Sequence, residues 1–337
     1  TSRLTKVDKG NTVTDYDPDE IERKISINAT PCFCEWKDHK VNVVDTPGYS
    51  NFLWDTKAAL RAVDGAAVLV DAVAGVEVGT EKVWEMLEER GLPRIFVVNK
   101  MDRENANFNR ALESVREFFG RQAVPVELPI GEEKAFAGVV DVVEKKAYLF
   151  EKDESGKMTE APVPAGLAED VERRNKELVE MVAESDEKLM EKYFETGALG
   201  PEEFRAGLKK SILNRQIFPV FAASGLANIG AQTVLDGVVA FLPSPVEAGA
   251  VKASVNGEDK TVPPSPDGPF AALVFKTISD PYTGRISLMR VFSGRTNPDG
   301  TVANPGRETD EKLGGLFFLQ GKEQVAAGQA KAGDIVA

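Results

Sequence analysis

The residues best suited to chemistry sit in three short loops: Asp45-Thr46-Pro47-Gly48, Asn99-Lys100-Met101-Asp102 and Ser224-Gly225-Leu226. Each follows an apolar run: Val41–Val44, Arg94–Val98 and Ile217–Ala222. A strand that presents one carboxylate at its C-terminal end, followed by a glycine-containing turn, suits magnesium and phosphate. The carboxylate of Asp45 can hold the metal, often through water, and the backbone N–H of Gly48 can reach a terminal phosphate. Four residues of that kind also make an ordinary strand-to-helix turn. The second loop narrows the chemistry. The carboxylate of Asp102 can accept two N–H bonds from a guanine edge, a pair that adenine does not offer. The stem of Lys100 can lie along the base, and Asn99 can bond to the base edge or brace a neighbouring loop. Backbone N–H groups near Ser224 and Gly225 can reach the guanine oxygen, and Leu226 can pack on the ring. In this order, on three strands, the loops point to a guanine nucleotide.

The elements that must position them follow from periodicity. Cys32–Trp36 and Lys40–Asp45 predict a hairpin turning at Lys37-Asp38-His39. Phe52, Leu53, Thr56, Ala59, Leu60 and Val63 keep a helical stripe that Gly65 ends. Ala66–Asp71 is continuously apolar up to its terminal Asp, as a strand buried on both faces would be. Thr80 is placed to cap a helix that stops at Gly91, and Phe108, Ala111, Leu112, Val115 and Phe119 mark another. Strand–helix alternation of this kind predicts a doubly wound parallel sheet with one antiparallel hairpin at its edge. The alternation breaks at Gly120. Residues 121–214 predict an inserted α+β subdomain: strands over Val124–Phe150, a polar loop over 151–168, then three helices, the second capped by Ser185 and the third beginning at Pro201. The parallel pattern then resumes. Residues 243–269 hold six prolines and read as a linker, and the β-rich runs from Phe270 onward predict a small β-barrel. Thr1–Glu22 is polar, without a sustained apolar period, and reads as a mobile loop.

Composition excludes several classes. The 337 residues allow two or three domains. No apolar run approaches the roughly 18 residues of a membrane span, and no signal-peptide pattern opens the chain. A net charge of −13 with no basic cluster argues against non-specific binding of DNA or RNA by charge alone and leaves open docking to a ribonucleoprotein through a few placed residues; no sequence-specific DNA partner is expected. Cys32 and Cys34 share a strand face and suit reduced thiols in a cytosol, and the lone His39 leaves no Cys/His metal cluster.

With these residues in place, Asp45-Thr-Pro-Gly, Asn99-Lys-Met-Asp-Arg103 and Ser224-Gly-Leu resemble the nucleotide loops of elongation factor G, a translational GTPase. Val124–Val139 resembles the entry to that family's inserted subdomain. Leu242-Pro-Ser-Pro and Gly284–Gly294 resemble its linker and β-barrel second domain. The resemblance implies a P-loop-type G domain over 1–243 with its insertion at 121–214, a linker at 244–269, and a barrel domain over 270–337. It implies GTP or GDP and Mg²⁺ as ligands, the ribosome (ribosomal RNA and proteins) as partner, a cytoplasmic location and a monomer. The nucleotide-binding set is then Asp45, Thr46, Pro47, Gly48, Tyr49, Asn99, Lys100, Met101, Asp102, Ser224, Gly225 and Leu226. Glu22-Arg-Lys-Ile-Ser26 matches the family's first switch, so Ser26 joins Asp45 on the metal, and the γ-phosphate orders loops that hydrolysis releases. The family's phosphate loop is absent from the sequence and is expected upstream of Thr1, with the first strand; the family's C-terminal domains are absent as well. Gly48 and Tyr49 occupy the catalytic place. The family usually has histidine where this chain has Tyr49; a phenol can bond to the attacking water but carries protons poorly at neutral pH. Three rivals stay open: a ribosomal-protection GTPase, a release-factor GTPase, and a module that senses guanine nucleotide without hydrolysing it.

Overall fold

The computed structural model describes residues 5–255, 258–280 and 284–337. Helix α1 (Pro18–Arg23) lies where composition predicts a loop, and a 3-10 turn at Val7–Lys9 precedes it. Asp17 caps α1, and the carboxylate of Glu20, 1% exposed, accepts the N–H groups of Asp17, Ile27 and Asn28. A polar segment with no apolar stripe is therefore folded round one buried carboxylate, a signal that periodicity does not carry. Thr1–Leu4 of the expected loop lie outside the described residues.

Strands β1 (Thr30–Trp36) and β2 (His39–Asp45) pair antiparallel, Thr30 opposite Asp45 and Trp36 opposite His39. The turn is Lys37-Asp38 alone, both at positive φ (45° and 61°), the primed geometry that matches the strands' twist. Cys32 and Cys34 are free thiols. After a 3-10 turn at Ser50–Phe52, α2 (Leu53–Ala59) buries Leu53, Thr56 and Ala59. It ends before Val63, short of the predicted stripe.

Strand β3 (Ala66–Asp71), α3 (Val78–Arg90), β4 (Arg94–Asn99), α4 (Phe108–Phe119) and β5 (Ala123–Pro125) follow. Glu77 caps α3, and the Thr80 hydroxyl accepts the Glu77 N–H; Gly91 ends the helix at φ 65°. The insertion supplies β6 (Glu127–Ile130), β7 (Gly138–Asp141), β8 (Lys146–Phe150) and β9 (Met158–Ala161), a four-stranded antiparallel sheet. Strand β9 falls inside the predicted loop. Helices α5 (Ala165–Glu184), α6 (Glu187–Thr196) and α7 (Pro201–Leu213) complete it. Asp186, not Ser185, caps α6; the Ser185 hydroxyl bonds to that of Ser211 instead. Strand β10 (Phe218–Ala222) and α8 (Ala231–Phe241) close this part.

The parallel sheet has the order β3-β4-β10-β5. The expected parallel α/β architecture is present, with three differences. The β1–β2 hairpin forms its own two-stranded sheet among the described residues rather than an edge of this one. Strand β3 buries Val68 and Val70 but leaves Leu69 60% exposed, so it is covered on one face only. Strand β5, counted with the insertion, belongs to the parallel sheet. One core joins sheet and insertion: Ile95, Val97, Ile217 and Phe221 pack with Leu178, Val182, Leu208 and Ile212.

Beyond α9 (Pro245–Ala248), β11 (Val251–Val255) and β12 (Glu258–Val262) form a hairpin within the predicted linker. Its prolines punctuate the hairpin rather than fill it: Pro245 opens α9, and Pro263 and Pro264 follow β12. Strands β13 (Ala271–Asp280) and β14 (Gly284–Ser293) are the long pair of the β-rich end. They are followed by β15 (Arg295–Thr296), β16 (Thr301–Asn304), β17 (Thr309–Lys312), β18 (Phe317–Gln320), β19 (Glu323–Ala326), β20 (Ala330–Lys331) and β21 (Ile335–Val336). Met289, Val291, Leu316, Ala327, Ala330 and Val336 make their common core.

The described chain divides into two compact units. One is Gly65–Leu242; the other joins Thr5–Asp64 to Pro243–Ala337, across the boundary expected at 243. Polar anchors explain the second. The amide of Gln320 donates to the Phe33 carbonyl (2.8 Å) and accepts the Phe33 N–H (3.0 Å), continuing the strand's ladder with a side chain. The Lys40 ammonium lies over the Phe318 ring and 3.2 Å from Asp334. Arg290, 4% exposed, donates to the Ala62 carbonyl and to Asp64.

Candidate guanine-nucleotide site

In the Gly65–Leu242 unit, β3, β4 and β10 run parallel and end side by side, Asp71 opposite Asn99 and Ala222 opposite Val98. The C-terminal edge of such a sheet is where ligands bind. Asn99 does brace the neighbouring loop. Its Oδ1 accepts the N–H of Lys100 (2.8 Å) and that of Gly225 (3.0 Å). Ser224, fully buried, donates its hydroxyl to Asp102 Oδ1 at 2.5 Å and accepts the Ala227 N–H at 3.0 Å. Paired backbone bonds between Ser224 and Ile229 close the turn. Sequence-predicted loops 122 positions apart are thus locked together by their own side chains.

Two expectations change. The N–H groups of Ser224 and Gly225 are donated within the protein, to Ile229 and to Asn99, so Leu226 carries the loop's open N–H among the described residues. Leu226 is 54% exposed. Met101 is fully buried and donates its N–H to the Ala223 carbonyl; it anchors the loop. Asp102 keeps its second carboxylate oxygen, and each oxygen has two lone pairs, so Ser224 does not exhaust it.

Asp71 was visible in the sequence only as a strand end. Its Oδ2 accepts from Lys100 (2.9 Å) and Arg103 (3.0 Å), and its Oδ1 accepts the Val73 and Ala74 N–H groups. Burial alone would raise this carboxyl; the Lys100 ammonium and the two N–H donors outweigh it and hold it at about 2. Lys100, at φ 63°, is therefore tethered at its head to Asp71.

The residues that the sequence assigns to phosphate and metal belong to the other unit and are described there by themselves. Asp45 ends β2; burial pushes its carboxyl up, Asp15 and Glu20 push it further, and the Thr14 hydroxyl and Thr46 N–H oppose them. Nothing in the spacing marked Thr14. A carboxylate buried among other carboxylates suits a cation. Among the described residues, however, no group of three or more His, Cys, Asp or Glu is arranged to hold a metal alone. Ser26 is half-buried four residues before β1, at the end of the hairpin where Asp45 lies, and makes no hydrogen bond among those described. Pro47 is buried and its carbonyl accepts the Thr56 hydroxyl at 3.0 Å, which pins the turn to α2. A Cβ on Gly48 would meet nothing within 4 Å, so its backbone is open to a ligand. Tyr49 is 60% exposed, and its carbonyl accepts the Phe52 N–H at 2.9 Å.

Residues 1–244 match the model of the elongation factor Tu GTP-binding domain, and residues 269–337 that of elongation factor G domain 2. The chain belongs to the elongation factor G family of translational GTPases. It is 38% identical over 339 residues to elongation factor G 2 of Syntrophomonas wolfei subsp. wolfei, covering 99% of this chain and 49% of that protein. A crystal structure of a protein from Thermus thermophilus is similar with a TM-score of 0.87 at 32% identity, covering 100% of this chain and 47% of that one. The chain spans about half the length of these relatives. An elongation factor G architecture, a parallel-sheet G domain followed by the β-rich second domain, is what the sequence predicted. No described helix is long and apolar enough to cross a membrane.

Proposed function

We propose that this chain is the nucleotide-binding and adjoining β-rich part of a ribosome-dependent GTPase that couples GTP hydrolysis to movement of tRNA and mRNA. The observation that carries the reading is the pair of locks, Asn99 to Gly225 and Ser224 to Asp102, which hold a carboxylate and a ring-packing residue at one sheet edge. Asp102 reads the guanine N–H groups, Leu226 packs on the ring, and Asn99 and Lys100 support the loop. Gly48 offers its N–H to the γ-phosphate with Thr46 and Pro47 shaping the turn, and Tyr49 faces the attacking water. Asp45 and the Ser26 hydroxyl would hold Mg²⁺, which when bound offsets charge on the phosphates. The domain assignment that goes with this reading is a G domain over 1–243 with the insertion at 121–214, a linker at 244–269 and a barrel domain from 270. The partner is the ribosome, the location cytoplasmic and the protein monomeric.

The test is GTP turnover by the full-length protein with and without ribosomes. Ribosome-stimulated turnover that Asp102→Asn transfers from GTP to xanthosine triphosphate supports the reading, because an amide can donate to the carbonyl that replaces the guanine amino group. Unchanged GTP affinity in Asp102→Asn removes it. The second reading, a guanine-nucleotide sensor that does not hydrolyse, rests on Tyr49. No ribosome-stimulated turnover in the wild type, with turnover appearing in Tyr49→His, selects the sensor.

A further inference from the structure

Strand β13 changes face partway along. Ala271 and Leu273 are partly buried and Ala272 and Val274 exposed; beyond Phe275 the even positions, Lys276 and Ile278, are the less exposed. The register records the cause. Val274 pairs with Met289 and Lys276 with Leu288, so Phe275 is an extra residue in the strand, a β-bulge. Bulges re-aim side chains. This one turns Lys276 inward, leaving its side chain 11% exposed.

The ammonium then meets acceptors from two other segments of the same unit. Lys276 donates to the Asn28 side-chain oxygen (3.2 Å), to the Ala29 carbonyl (3.2 Å) and to Asp55 Oδ2. A lysine has three N–H donors and no acceptor, so the group is fully used. Asp55 Oδ2 also accepts the Ala29 N–H at 2.9 Å, which ties the segment to the helix directly. Asn28 and Ala29 lie just after Ser26, and Asp55 lies in α2, whose approach through Gly48 is pinned by Thr56.

We infer that Lys276 is a positioning residue, set by the β13 bulge, that fixes the segment after Ser26 to the helix after Gly48 and so lets the β-rich domain govern nucleotide turnover. The inference rests on the GTPase reading for its consequence and on geometry for its latch. A lysine serving stability alone would affect the whole unit evenly. A positioning lysine changes one amide and one rate.

The experiment uses the full-length protein with ribosomes and compares wild type, Lys276→Gln, Lys276→Arg and Asn28→Ala. Hydrogen exchange is read at Ala29, and kcat, KM for GTP and GDP affinity are measured in parallel. Lys276→Gln is expected to speed exchange at Ala29 while core strand amides of the same unit, such as Val291, stay protected. It is expected to lower kcat about tenfold, with KM and GDP affinity within about twofold, because misplacement acts on the reacting arrangement more than on binding. Lys276→Arg should restore much of the rate through the charge to Asp55, and Asn28→Ala should give a smaller loss of the same kind. An unchanged kcat with Ala29 still protected in Lys276→Gln overturns the inference. So does a loss of protection spread across the unit, or an Arg variant no better than Gln. If wild type shows no GTP turnover, the GTPase reading fails instead; Ala29 exchange still shows whether the latch exists, and an unprotected wild-type Ala29 overturns it.

Discussion

Ser224 donates its hydroxyl to Asp102 at 2.5 Å, joining the turn after β10 to the turn after β4. The same oxygen accepts the Ala227 N–H, so one buried atom both shapes its own loop and aims the carboxylate beside it. Ser224→Ala should cost about 1–3 kcal/mol, since it strands a buried acceptor and donor together. It should also weaken GDP binding by about tenfold, because Asp102 loses its fixed orientation. Urea unfolding and nucleotide titration check the two effects separately; full retention of affinity would show that Asp102 is aimed by other contacts.

Gly48 has no steric demand of its own, because a Cβ there meets open space. Gly48→Ala should leave the unfolding free energy within about 0.5 kcal/mol of wild type, as surface substitutions usually do. If a γ-phosphate approaches its N–H, turnover should nevertheless fall by about an order of magnitude or more, as when one oxyanion donor is disturbed. Turnover equal to wild type would place the phosphate elsewhere.

Glu127 sits on β6, 3% exposed, accepting the Ala222 N–H at 3.3 Å and bonded to Thr233. Burial pushes its carboxyl up from 4.5 to about 8, aided by Asp141 and Asp236, while Thr233 and the Ala222 N–H pull the other way. The folded state therefore keeps a proton that the unfolded chain releases above about 4.5. The stability linked to that proton is fully present below 4.5 and is lost as pH rises toward about 8. Glu127→Gln should remove this part of the pH dependence, gaining on wild type in urea midpoints as pH rises from about 5 to about 8. Parallel curves for the two proteins would mean that Glu127 is ionised throughout.

Arg290 reaches from β14 to Asp64 at 2.7 Å and to the Ala62 carbonyl at 3.3 Å, with its side chain 4% exposed. Removing one partner of a buried ion pair costs about 3–5 kcal/mol. Arg290→Met should approach that figure, and Arg290→Met with Asp64→Asn should recover part of it. Thermal unfolding of wild type, the two single variants and the double variant gives the coupling. A single variant as stable as wild type would make the pair marginal.

The placement of the candidate loops was legible where it depends on local sequence. Asn99-Lys-Met-Asp and Ser224-Gly-Leu follow continuously apolar strands, and β4 and β10 are indeed neighbours in the parallel sheet. The Pro201 start of α7 and the Gly91 stop of α3 were readable because a fixed φ or a missing Cβ acts on its own residue. Helix α1 was missed because its stabilising centre is a Glu, and β9 because a half-exposed Met158–Ala161 strand resembles a loop. The hairpin β11–β12 was hidden by prolines that stand at its borders.

By itself, the sequence determined the periodicities, the turn chemistry and the three candidate loops, since these depend on neighbours a few positions apart. Tertiary structure alone decided that Ser224 orients Asp102, that Asp71 tethers Lys100, and that Met101 belongs to the core. It also decided that Lys276 faces Asn28, Ala29 and Asp55, through one extra residue at Phe275 that reverses the alternation of its strand. Those facts join residues tens to hundreds of positions apart. Spacing along the chain says nothing about such pairs; burial does, because only a folded interior forces each buried donor and acceptor to find the other.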